Sequence, residues 1–287
     1  GLYNYLRLNY PDIRAAVYLE ESSPKFNYLK GYDSIRHQTD GEQYELCICL
    51  DSGDIQRLGG FKPYLDQADR SLCLDHHVTN TRYGGTNVVL GEASSTCEVL
   101  FGLLEEEKIS KAVAECIYTG IIHDTGVFKY DCTSAKTMEI AGKMMAKGID
   151  FPHIIDNSFY RKTYIQNQIL GRALLESITF LDGRCIFSVI HKRDMDFYGV
   201  TSADMDGIID QLRITEGVEC AIFMYETACR EYKVSLRSTN DLDVSKIAVY
   251  FGGGGHVKAA GCTMAGSVHD VVNNLSARIS EQINGDT

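Results

Sequence analysis

The sequence predicts an α/β protein in two parts: an N-terminal domain with a mostly parallel sheet flanked by helices, and a smaller C-terminal α/β domain with a mixed sheet. Three observations carry this reading. Short apolar runs alternate with helix-period stretches through the first half, the pattern of strand–helix–strand units. In the second half, RCIFSVI (184–190), CAIFMYE (220–226) and EYKVSLRS (231–238) are rich in β-branched and aromatic residues, which suits strands. The composition is globular: 287 residues, 44% hydrophobic and 23% charged.

In chain order, AAVYL (15–19), LCICL (46–50) and LCLD (72–75) read as strands. Helical periodicity covers 94–106, 110–122 and 134–147. The last of these starts at Thr133 or Ser134 as N-cap and ends at Lys147-Gly148. The polar, then amphipathic, stretch 163–179 reads as a linker helix. Helices also fit 203–213, 243–250 and 268–283. The boundaries that follow are a first domain over 1–157, a linker helix region over 158–175 and a second domain over 176–287.

Composition narrows the function. No run approaches the roughly 18 apolar residues a membrane helix needs, and no charged-then-apolar signal opens the chain. A soluble, cytoplasmic protein with no membrane partner is expected. Of ten cysteines, Cys47, Cys49, Cys73, Cys116, Cys185 and Cys220 sit inside apolar runs, and no CxxC pair occurs. They read as small hydrophobes in a reducing compartment. The net charge is −11, and no basic stripe suited to long nucleic acid is visible. An anionic substrate is therefore small and held by a few cations.

Two apolar runs end in a carboxylate, LCICL into Asp51 and LCL into Asp75-His76-His77. In open α/β sheets, ligands collect beyond the carboxyl ends of strands. Asp124 follows the apolar helix in TGIIHDTGVFKY (119–130), with Thr125-Gly126 as a tight turn. Carboxylates and imidazoles gathered on one sheet edge suit Mg2+ or Mn2+. His123 is ambiguous, because adjacent residues need not face the same way. Near the C-terminus, FGGGGHVKAAG (251–261) offers a glycine run that lets backbone approach a ligand, followed at once by His256. Arg237 ends VSLRS upstream of it, where a guanidinium could clamp a phosphate.

Five stretches together resemble the DHH/DHHA1 phosphoesterase family, and within it the NrnA-type enzymes that degrade oligoribonucleotides and dephosphorylate 3′-phosphoadenosine 5′-phosphate. They are CLDSGDIQRLG (49–59), DHH (75–77), GIIHDTGVFKY (120–130), VSLRS (234–238) and GGGGHVKAAG (252–261), in the family's order. The resemblance implies that Asp51 bridges two Mn2+ ions and that His76 and Asp124 ligate one of them. Asp75 would orient a histidine, and His77 would face the scissile phosphate. Arg237, His256 and the backbone of Gly253, Gly254 and Gly255 would clamp the substrate's terminal phosphate or nucleotide. It further implies water activated between two metals for in-line attack, short RNA or small nucleotides as partners, and a homodimer as one arrangement the family allows.

One departure stands out. The family's first motif, an HxxPDxD-like His and two Asp, precedes the first helix. Here the chain opens with GLYNYLRLNYPD, which resembles that helix's continuation. The expectation is that the motif lies upstream of Gly1, the alternative being a chain that has lost it. Three other readings compete: hydrolysis of cyclic di-AMP or its linear product at the same site, a non-catalytic nucleotide-binding relic, and a structural protein with DHH in a solvated turn.

Overall fold

A computed structural model describes residues 1–285. The chain falls into two compact units, Gly1–Arg161 and Lys162–Thr287.

The first unit starts with α1 (Leu2–Asn9) and a two-residue parallel pair, β1 (Val17–Tyr18) with β2 (Ile35–Arg36). The expected strand AAVYL shrinks to β1, because its partner β2 offers only two residues to pair with, and the Tyr18 ring turns to an aromatic cluster. It packs on Tyr44, Phe61 and Tyr64, and its hydroxyl bonds Asp40 and Tyr44. Then come β3 (Leu46–Leu50), α2 (Lys62–Gln67), β4 (Arg70–Asp75) and β5 (Thr86–Val89). These three strands form a parallel sheet in the order β3–β4–β5.

Four helices complete the first unit: α3 (Thr96–Phe101), α4 (Lys111–Asp124), α5 (Ala135–Ala146) and α6 (Phe151–Ile155), the last running into a π-turn over Asp156–Tyr160. The helix read over 94–106 is shortened to α3. Gly102 closes it, and Glu106–Lys108 follow as a separate 3-10 turn. Ser95, Ser110 and Ser134 cap α3, α4 and α5 by accepting a backbone N–H, each worth about 1 kcal/mol. The core lies around α4, whose Val113, Ile117, Ile121 and Ile122 are fully buried against Ile140 and Met144 of α5.

The second unit opens with α7 (Tyr164–Leu175), β6 (Ile178–Phe180) and β7 (Cys185–Ile190). The stretch 163–179 is thus a helix plus an edge strand, and α7 is no linker: its Ile169 and Ala173 are fully buried in this unit's core. Next are α8 (Lys192–Tyr198) and α9 (Ile208–Arg213). The helix expected over 203–213 is broken at Gly207, whose φ of 82° leaves a 3-10 turn (Ser202–Met205) before α9. The rest is β8 (Cys220–Ala228), β9 (Glu231–Ser238), α10 (Val244–Tyr250), β10 (Gly254–His256), β11 (Ala259–Ala265) and α11 (Val268–Asn284).

Six strands form one mixed sheet in the order β10–β11–β9–β8–β7–β6, with β7 and β8 parallel and the other neighbours antiparallel. One face carries Ile222, Met224, Val234, Leu236 and Cys262, packed with Val244 and Ile247 of α10 and Val271 and Leu275 of α11. On the other face, Ile186, Ile190, Ala221 and Phe223 of β7 and β8 pack with Ile169, Met195 and Leu212. Beyond β8 that second face opens. Lys233, Thr263, Gly254 and His256 are exposed, and Ser235, Arg237 and Ala259 are only half-buried. The strict alternation of burial along β9 marks it as a strand packed on one side.

Candidate functional site

β3 and β4 run parallel in register, Cys49 opposite Cys73 and Leu50 opposite Leu74, so the residues following each strand land side by side. The Asp51 N–H donates to the Leu74 carbonyl at 3.0 Å, extending the ladder one residue. Its φ of 57° then throws the chain into the left-handed region, a strained conformation for a residue with a Cβ. The carboxylate emerges half-exposed.

Asp75 is fully buried at the end of β4. Burial alone would raise its pKa, but hydrogen bonds outweigh it and hold the carboxyl below the usual range. Asn80 Nδ2 donates to Oδ2 at 2.5 Å, and His77 Nδ1 donates to Oδ1 at 2.7 Å. The backbone N–H groups of His76 and His77 donate to the same Oδ1 at 2.8 and 3.3 Å.

The two imidazoles are tied at the nitrogen that is not offered to a ligand. His76 Nδ1 lies 3.3 Å from the Ala93 carbonyl, which fixes the proton there. Nε2 then points its lone pair toward Asp51 Oδ1 (3.7 Å) and Asp124 Oδ2 (3.8 Å). His77 Nδ1 is held by Asp75 and also lies 3.8 Å from Asp51 Oδ1, leaving its Nε2 free. This is the tautomer a metal-ligating histidine needs. Asp51, Asp75, His76 and His77 offer ligand atoms all within 4.8 Å of one another, and Asp124 joins through His76.

Asp124 is the last residue of α4. Gly126, Val127 and Phe128 follow with φ of 57°, 58° and 64°, a left-handed turn that stops the helix at the carboxylate. Buried Thr125 staples that turn, its Oγ1 donating to the Ile121 carbonyl and accepting the Phe128 N–H. Burial first, and the Asp51 charge second, push Asp124 up to about 6. His123 turns away from the cluster, its ring against Phe26 and Phe159 and Nε2 3.1 Å from Ser158 Oγ. Among the described residues, the ionic contacts of Asp51, Asp75 and Asp124 are to His76 and His77 alone. Oxygen and imidazole donors crowded together with no lysine or arginine beside them fit a divalent cation.

Two residues of this cluster escaped the sequence reading. Thr96 Oγ1 donates to Asp51 Oδ1 at 2.8 Å, and Asn80 joins Asp75 to the Ser52 carbonyl. The only signal for Thr96 was its place in the first turn of a serine-capped helix, beyond a strand end.

In the second unit, Arg237, Ala259 and His256 are in register across β9, β11 and β10. Arg237 and His256 therefore share the open face with only a methyl side chain between them. The glycines divide by role. A Cβ at Gly253 would sit 2.2 Å from the Gly261 carbonyl oxygen, and one at Gly255 (φ 147°) 2.5 Å from that of Ala259. Those two are required by the close approach of β10 to β11. A Cβ at Gly254 meets nothing within 4 Å.

Comparison with known proteins follows the same division. Residues 1–121 match the DHH family N-terminal domain and residues 182–285 match the DHHA1 domain. The chain belongs to the DHH/DHHA1 family of phosphoesterases. It is 28% identical to the bifunctional oligoribonuclease and PAP phosphatase NrnA of Thermus thermophilus, over 76% of this chain and 65% of that protein. It is 24% identical to the Bacillus subtilis protein of the same name, over 92% and 83%. In fold it matches an exopolyphosphatase-related protein from Bacteroides fragilis, with a TM-score of 0.87 at 22% identity, covering 98% of this chain and 86% of that one. No helix among the described residues is long and apolar enough to cross a membrane.

Proposed function

We propose that this DHH/DHHA1 chain hydrolyses the phosphoester bonds of short oligoribonucleotides and of 3′-phosphoadenosine 5′-phosphate at a Mn2+ centre. The observation that carries the reading is the convergence of Asp51 and Asp124 on the free Nε2 of His76, at 3.7 and 3.8 Å. Asp51, His76 and Asp124 would hold the metal, and Asp51, which also lies beside His77, is the ligand two ions would share. Bound there, such ions supply Lewis acidity toward the phosphoryl oxygens and acidify bound water. The protein's own groups do the rest. Asp75 holds the His77 Nδ1 proton at 2.7 Å, which keeps His77 Nε2 free toward the scissile phosphate. Arg237 and His256 would receive the substrate's terminal phosphate, the guanidinium through a charge-assisted hydrogen bond. Relatives named for oligoribonuclease and PAP phosphatase activity support the substrate class.

The test is turnover of a short 5′-phosphorylated RNA and of 3′-phosphoadenosine 5′-phosphate, with Mn2+ and with chelator, beside cyclic di-AMP and its linear product. Mn2+-dependent release of product from the first two is expected. Turnover of the cyclic di-AMP pair alone moves the substrate to that class, and no turnover of any overturns the reading.

A further inference from the structure

The second unit holds a cleft of about 440 Å3, bounded by Phe223, Tyr225, Ser235 and Arg237 on the sheet and by Met205 and Gly207 on the helical side. That volume is within the range of small-molecule sites. The β8–β9 register pairs Ala221 with Arg237, Phe223 with Ser235 and Tyr225 with Lys233. All six side chains thus share one face, and Lys233 lies two rungs along the strand from Arg237. Four residues of strand span about 13 Å. The two cations are thus rooted about 13 Å apart along the strand, far enough to reach successive phosphate groups of an extended chain.

Lys233 is exposed, and among the described residues no carboxylate pairs with it. Glu231, on the same face, is engaged by the Thr227 hydroxyl at 2.8 Å. Asp210 lies 3.9 Å from Arg237 Nε, and Asp206 lines the helical rim of the cleft, where it can accept from a ribose hydroxyl or an exocyclic amine. Half-buried Tyr225 presents an aromatic wall next to Lys233. A ring and a free cation paired across two strands, with a hydrogen-bond acceptor on the facing helical rim, are the components that hold single-stranded nucleotides: a stacking platform and an electrostatic track. On a chain of net charge −11, a free cation beside a ring on an open sheet face suits an anionic occupant.

We propose that Tyr225 and Lys233 form a second nucleotide subsite, which receives the base and phosphate of the next nucleotide of an oligonucleotide. The proposal rests on the nucleotide-hydrolysing reading above and deepens it. Arg237 and His256 serve any substrate with a terminal phosphate, whereas Tyr225 and Lys233 serve only chains longer than one nucleotide. The pair is therefore a specificity determinant that separates short RNA from a mononucleotide bisphosphate.

Binding is measured on the full chain with chelator present, so that no turnover intrudes, using a 5′-phosphorylated RNA trinucleotide and 3′-phosphoadenosine 5′-phosphate as probes. Lys233→Ala and Tyr225→Leu are expected to weaken trinucleotide binding about tenfold each and to leave the bisphosphate unchanged. Tyr225→Phe, which keeps the ring, should bind both as wild type, and Arg237→Ala should weaken both. Unchanged trinucleotide binding in Lys233→Ala and Tyr225→Leu overturns the subsite, as does an equal loss for both probes. A wild-type chain that turns over RNA with Mn2+ while Lys233→Ala binds it normally sinks the subsite alone. A wild-type chain that neither binds the probes nor turns them over with Mn2+ sinks both readings.

Discussion

The end of the β3–β4 sheet in the first unit and the open β9–β11–β10 face in the second carry their polar groups in opposite ways. In the first, each group is anchored: Asp75 accepts from Asn80, His77 and two backbone N–H groups, His76 is tied to Ala93, and Asp51 to Thr96. In the second, Lys233 and His256 stand exposed, and Arg237 bonds only its neighbour's carbonyl while lying 3.9 Å from Asp210. The difference teaches how each region is suited to its task. Under the proposed function, a metal, which tolerates little error in ligand placement, would find its ligands already locked by outer partners. On the same reading, an oligonucleotide, which varies in base and length, would be served better by long cationic side chains and one aromatic ring free to adjust.

The comparison breaks most visibly at Asp51. Asp51→Ala is expected to lower metal-dependent turnover by more than about 100-fold and to weaken Mn2+ binding measured by calorimetry; wild-type turnover in this variant removes Asp51 from the metal. A smaller effect tests whether the locking partners matter as such. Thr96→Val should weaken Mn2+ binding by about 10–100-fold, while Thr96→Ser, which keeps the hydroxyl, stays near wild type. Equal losses in both variants would assign Thr96 to packing instead. The smallest effect sharpens the second region. Gly253→Ala, whose methyl would press on the Gly261 carbonyl, should destabilise the chain by about 1–3 kcal/mol in a denaturant titration. Gly254→Ala has open space and should unfold with wild type, so a matching loss there would contradict the division of the glycine run.

Much of this was legible because it depends on local pattern. LCICL, RCIFSVI and EYKVSLRS announce strands through apolar runs or alternation, and the strand-ending Asp51 and Asp75-His76-His77 mark the sheet edge. The short strands were not legible. Ile178–Phe180 and Gly254–His256 each hold three residues, too few for a period, and gain their structure from a neighbouring strand. Gly207 was hidden inside a helical pattern because periodicity ignores the sign of φ. Thr96 and Asn80 were missed for a related reason: a hydroxyl or an amide acquires its role from what the fold brings beside it. Asp51 is 45 positions from the threonine that holds it.

Asp51 also sets a trap for anyone improving this protein. Its backbone sits at φ 57°, a region that glycine enters more cheaply than aspartate does. Selection for folding alone, by heat or protease survival, therefore rewards Asp51→Gly, a change that relieves the backbone and discards the carboxylate together. Stability and chemistry pull in opposite directions at this residue. A library screened only for survival would fill with sturdy chains that lack the Asp51 carboxylate, and its winners would need a second sorting for the metal-dependent turnover proposed above.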